Sequence, residues 1–205
     1  MTTTTNYADN IRSTLERATQ EDVHQGVSWY STAHTFSVGL ARKYGLTVRQ
    51  AAAIVAALSP RLGWGDNQRY ADHLARYGGC MGPLGANVRK AAAIRNGADP
   101  RTVFGFDNAR NVRKGQGSKV RSFYLNVLDP KHSQDVTVDG HAAAIAGADP
   151  KVLARVGGYE SIAEAYRTVA AEVGLAPHEV QAITWTTHRR TIGADRYDNY
   201  RGKGA

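Results

Sequence analysis

Apolar positions along the chain recur at three- and four-residue intervals, and alternating strand-like runs are scarce, so helical periodicity dominates. The pattern predicts a helix over 6–18 with Ile11 and Leu15 on one face. A second is predicted over 28–44, carrying Tyr30, His34, Val38, Leu40 and Ala41 and closed by Gly45. Thr47 is a candidate N-cap for the run over 48–58, the most apolar segment and the expected central core helix. Ser59 and Pro60 end that run, because the residue before a proline disfavours the α region.

A polar loop over 61–66 is expected next, then helices over 67–77 and 87–96 separated by a glycine-rich connection. Asp99 and Pro100 restart the chain, and 108–114, a glycine turn and 117–128 read as helix, tight turn, helix. A short helix follows Asp139 to about Ala146. Two more are predicted over 159–174 and 177–190, with Pro177 suited to a first turn. Gly157 and Gly158 are the expected internal hinge, and a polar tail occupies about 191–205. The fold class is therefore all-α, a single domain over 1–205 with two helical lobes and a cleft as one form it can take.

Composition supports a globular chain: of 205 residues, 42% are hydrophobic and 21% charged. The alanine runs at 51–53, 91–93 and 142–144 favour helix. A formal net charge of +8 favours a polyanionic partner, with nucleic acid the first expectation and a basic surface without special partner the alternative. The single cysteine, Cys80, leaves no intrachain disulfide and no all-cysteine iron–sulfur cluster, so no cofactor is expected. The scattered histidines show no metal-ligand spacing. No apolar run approaches the roughly 20 residues that span a bilayer. The first residues lack the basic and apolar regions of a secretory signal, so the expected location is cytoplasmic.

Two segments carry chemistry. Gly115, Gln116, Gly117, Ser118 and Lys119 form a glycine turn opening a helix, inside a 110–121 flank with five cations and no carboxylate. Paired glycines allow successive N–H groups to point the same way, and the helix start adds unpaired amides. The result is an anion nest suited to phosphate, although a plain helix–helix connection fits the glycines too. The four-residue spacing between glycines of a triphosphate-binding loop is missing.

Asp139 follows Val136, Thr137 and Val138 and opens an alanine-rich helix 20 positions beyond Lys119. As an N-cap it needs no other role. The two roles are compatible, because an anchored carboxylate can also stabilise an oxocarbenium-like sugar or activate a water.

These motifs in order resemble the helix–hairpin–helix DNA glycosylase superfamily, which includes endonuclease III. The match comprises the turn at 115–119, Leu125 and Asn126, and Val138 to His141. It also takes in the segment from Ala56 to Arg61 that leads to Asn67 and Ala71. The resemblance covers about 50–147. It implies a helix–hairpin–helix glycosylase fold, with hairpin and catalytic segment over about 108–147, and an enzyme that cleaves the glycosidic bond of a flipped base. It further implies that Asp139 is the catalytic carboxylate and Lys119 a Schiff-base amine or a phosphate contact. Lys114, Gly115, Gln116, Gly117, Ser118 and Arg121 would then hold the DNA backbone. Arg61, Trp64, Asn67 and His141 would form the base pocket, Trp64 packed on the core being the alternative.

Arg113, Lys114 and Gln116 stand where the family pattern is apolar, and the iron–sulfur cysteines are absent. Such departures resemble a divergent, phage-encoded branch, which would act in the host cytoplasm. The expected partner is double-stranded DNA, bound by a monomer. The alternatives are a thymine-hypermodification (pyrophosphorylase-like) enzyme on the same fold and a non-catalytic DNA-binding protein.

Overall fold

The computed structural model describes residues 6–82, 85–106 and 118–193. Among the described residues the chain is all helix, with no strand. In chain order the elements are α1 Tyr7–Glu16, α2 Gln20–Tyr44, α3 Val48–Leu58, α4 Trp64–Tyr77, α5 Gly85–Arg95 and α6 Pro100–Val103. Then follow α7 Ser118–Leu128, α8 Gly140–Ile145, a 3-10 turn Pro150–Ala154, α9 Gly158–Val173 and α10 Pro177–Thr191. The predicted helix over 108–114 and the glycine turn over 115–117 lie outside the described residues.

The central helix is the predicted one. Thr47 and Gln50 close a capping box at the start of α3, and every residue from Ala51 to Leu58 is buried. A helix apolar all round must sit inside the fold, and α2, α4, α5 and α7 pack around it. At its far end the Asn67 amide Nδ2 donates to the Val55 carbonyl at 3.1 Å, satisfying a C-terminal group that α3 leaves open.

Two expectations shift. The second helix begins at Gln20 rather than 28, because Thr19 and Asp22 form a reciprocal capping box ahead of a polar first turn. Its polarity hid it from a search for apolar periodicity. The loop expected over 61–66 shortens, since α4 starts at Trp64 and its ring packs on Trp29 and Phe36. Tertiary packing there overrides the weak helix propensity of the surrounding glycines.

Two hydrophobic clusters organise the rest. One gathers residues from α2 to α7 around α3. The other joins α1, the extended residues Val136 and Val138, α8, α9 and the start of α10. Helix α10 belongs to both, with Val180 in the second cluster and Ala182 in the first.

It lies along α2, held by two devices. Gly26 lets the backbones close up: a Cβ there would stand 2.5 Å from the Ile183 Cα and N. At the other end the buried Asp22 carboxylate accepts from Arg190 Nε at 2.9 Å. Burial opposes ionisation of Asp22, but the Arg190 guanidinium and the Thr19 bonds outweigh it and hold its carboxyl below the ordinary range.

Of the two glycines expected as a hinge, Gly158 is a packing point. Gly157 enters α9 with φ 77°, and a Cβ on Gly158 would fall 2.0 Å from the Val152 carbonyl oxygen.

Candidate active site

An open cavity of about 780 Å³ is lined by α2, the turn between α3 and α4, the start of α7, residues 137–141 and α10. That size is ordinary for a small-molecule or nucleotide pocket. Lys119, Asp139, Arg61, Trp64, Asn67 and His141 all line it, although the sequence spreads them over 81 positions.

The carboxylate reaches the cavity through a chain of local causes. Val136 and Val138 are buried in the second cluster, so the extended segment between 136 and 138 turns Thr137 toward the cavity. The buried Tyr159 hydroxyl pins that segment, donating to the Val136 carbonyl at 2.7 Å and accepting from the Val138 N–H at 3.0 Å. Burial pushes the Tyr159 hydroxyl up to about 12, so it stays a neutral donor throughout the physiological range.

Asp139 then caps α8. Its Oδ1 accepts from the Ala142 N–H at 2.9 Å, while Oδ2 faces Lys119 Nζ at 3.7 Å. One oxygen is spent on the helix and the other is offered to the cavity. The lysine is 41% exposed and the aspartate 19%. Ion pairs this wet contribute about 0–1 kcal/mol, so folding does not require the pairing.

Tyr159→Phe tests the pin. Leaving the Val138 N–H and Val136 carbonyl unpaired should lower stability by about 1–3 kcal/mol, measured by urea unfolding. Unchanged stability would show that the hydroxyl does not hold this segment.

Aromatic side chains line the same cavity as the charged pair. All three tryptophans of the chain, Trp29, Trp64 and Trp185, line the cavity together with Phe123. Trp29 is at the centre, with ring centroids 5.4 Å from Trp64, 5.7 Å from Phe123 and 6.5 Å from Trp185. The Arg189 guanidinium lies 4.5 Å from the centroid of the Trp185 ring. Trp29, Trp185 and Arg189 are not among the site residues expected from the sequence, because a tryptophan at helical spacing reads as core.

Arg61 is the only non-glycine residue with positive φ among the described residues, at 66°. A left-handed conformation is unfavourable for a residue with a Cβ by about 1–2 kcal/mol. Strain of this kind clusters at functional sites.

His141 faces the His188 ring, centroids 5.6 Å apart. Burial, the neighbouring His141 ring and Arg17 push His188 below its ordinary range, against Asp139.

Of the six expected backbone contacts, only Ser118 and Arg121 fall among the described residues. Lys114, Gly115, Gln116 and Gly117 lie outside the described residues. Ser118 opens α7 with its hydroxyl accepting from Arg121 at 3.0 Å. Arg121 is corrected: it is only 7% exposed and also donates to the Phe104 carbonyl at 3.3 Å. A guanidinium committed to the interior organises the base of α7 and does not reach an external phosphate. The face of α7 that carries Arg121 is turned inward.

The residue pattern of a family of unknown function, DUF7178, matches residues 1–192. The chain belongs to that family. No curated protein and no solved structure matches it. Among the described residues of this DUF7178 protein, no cluster of three His, Cys, Asp or Glu side chains gathers as metal ligands. Nor is any described helix long and apolar enough to cross a membrane.

Proposed function

We propose that this protein is a DNA base N-glycosylase-like enzyme, of helix–hairpin–helix glycosylase type, acting on a base flipped out of double-stranded DNA. The observation that carries the reading is the meeting of Lys119 and Asp139 at 3.7 Å, in a cavity also lined by every tryptophan of the chain. Aromatic walls suit a nucleobase, since stacking contributes about 1–3 kcal/mol per base and needs no particular sequence. The net charge of +8 and the basic 110–119 segment suit the phosphates on either side.

In the reaction the C1′–N bond breaks and its electron pair leaves with the base. Asp139 Oδ2 stabilises the positive charge developing on the sugar and takes a proton from the attacking water, whose oxygen bonds to C1′. In a lyase variant the Lys119 amine bonds to C1′ in place of water and passes a proton to Asp139; the C1′–O4′ bond then breaks, O4′ takes that proton, and the nitrogen lone pair forms a protonated imine at C1′.

The test is mass spectrometry of bases released from DNAs of varied composition, hypermodified phage DNA included. Borohydride added during turnover should trap a covalent protein–DNA adduct that disappears in Lys119→Ala. Release without an adduct assigns water as the nucleophile. Group transfer onto a retained base, with no free base and no abasic site, would overturn glycosidic cleavage in favour of base modification. Salt-dependent binding to every DNA with no product would leave a binding protein only.

A further inference from the structure

Two buried side-chain amides in the cavity wall are half-used. Gln181, on α10, is 6% exposed and accepts the Tyr30 hydroxyl proton on Oε1 at 2.8 Å. Tyr30 is itself buried, and burial holds its hydroxyl well above the ordinary range, so it remains the donor of that bond. With Oε1 fixed, the Gln181 Nε2 makes no hydrogen bond among the described residues and is left for the cavity. Asn67, on α4, is 2% exposed and spends Nδ2 on the Val55 carbonyl, which leaves Oδ1 buried without a partner. Both residues line the cavity.

A buried acceptor without a partner, such as Asn67 Oδ1, is costly unless something else completes it. The neighbouring tryptophans offer a flat ring an aromatic surface but cannot tell one ring from another. We propose that Gln181 and Asn67 read the hydrogen-bonding edge of the heterocycle held there, Gln181 as donor and Asn67 as acceptor. The ligand class is then a base whose edge carries both a carbonyl or ring-nitrogen acceptor and an N–H donor. Orientation at this edge is inherited from the fold: Tyr30 sets the Gln181 amide, and the end of α3 sets that of Asn67. This inference rests on the cavity being a base pocket, as proposed above.

Tryptophan emission reports occupancy directly, since every tryptophan of the chain borders the cavity. The full chain is titrated with thymine, uracil, cytosine and adenine, and with difluorotoluene, an apolar mimic of thymine's shape. At least one base should bind about tenfold or more tightly than the mimic, because a site built for polar edges rejects a ring that leaves them unpaired. Gln181→Glu keeps an acceptor for Tyr30 and replaces the amide donor. It should weaken the preferred base by about tenfold and leave the mimic nearly unchanged.

The paired change Tyr30→Phe with Gln181→Leu removes both ends of the buried bond. It should give the same loss in a chain whose thermal melting shows it folded. Equal binding of mimic and bases, absence of any emission change with all four bases, or an unchanged base ranking in a folded variant would overturn the inference. Base release from DNA separates it from the activity. Release with a ranking indifferent to Gln181→Glu sinks the edge-reading alone, whereas Gln181-dependent binding without release sinks glycosidic cleavage alone.

Discussion

Asp139→Asn is expected to reduce base release by about 10²–10⁴-fold while the protein still folds. The separation of the two effects follows from the two oxygens. Asn is about as good an N-cap as Asp, so the bond to the Ala142 N–H and the start of α8 survive. What disappears is the charge on the oxygen facing Lys119 and the cavity. The lost ion pair is exposed and lowers stability by about 1 kcal/mol at most. Thermal melting and mass spectrometry of released bases, run on the same preparation, check both halves. Full turnover by Asp139→Asn on an identified substrate would falsify the assignment. DNA affinity and its salt dependence should change little, since the binding cations are untouched.

Gly26→Val should lower stability by about 3 kcal/mol, at the upper end of overpacking effects. For a chain of this size that corresponds to roughly 6–12 °C in melting temperature. The clash is with the Ile183 backbone, which cannot rotate away as a side-chain tip can. Relief requires α10 to move off α2. That movement carries Gln181, Trp185 and Arg189 away from Trp29 and Tyr30, so the cavity opens along one side. Tryptophan emission should shift toward that of solvent-exposed indole in the still-folded population. A melting temperature equal to the parent's would mean that α2 and α10 are not held at this contact.

Much of the helical framework was legible because its signals are local. Thr47 ahead of an unbroken apolar run marks α3, and Asp99 with Pro100 and Pro177 mark helix starts by side-chain or ring geometry alone. The start of α2 was not legible from periodicity, since its first turn is polar and its capping box holds the buried Asp22 that pairs with Arg190. The 3-10 turn over Pro150–Ala154 was also missed. So was the role of Gly158, which depends on how closely the Val152 carbonyl approaches.

For the candidate site, residue types and order were readable: an aspartate positioned to cap, a lysine after glycines, and a tryptophan and an asparagine past the core helix. Local sequence determines such things because capping, propensity and periodicity act over a few residues. Only the tertiary structure decided which of these side chains share a cavity and which way each faces. Arg121 turned inward, Trp29 and Gln181 joined the wall from helices at opposite ends of the chain, and Lys119 met Asp139. Those outcomes hinge on how α10 closes over α2 and how α7 rolls against α3. Rotation of a helix by one residue changes the face it presents by about 100°. Such rotations are set by contacts between residues far apart in the chain, and no local pattern encodes them.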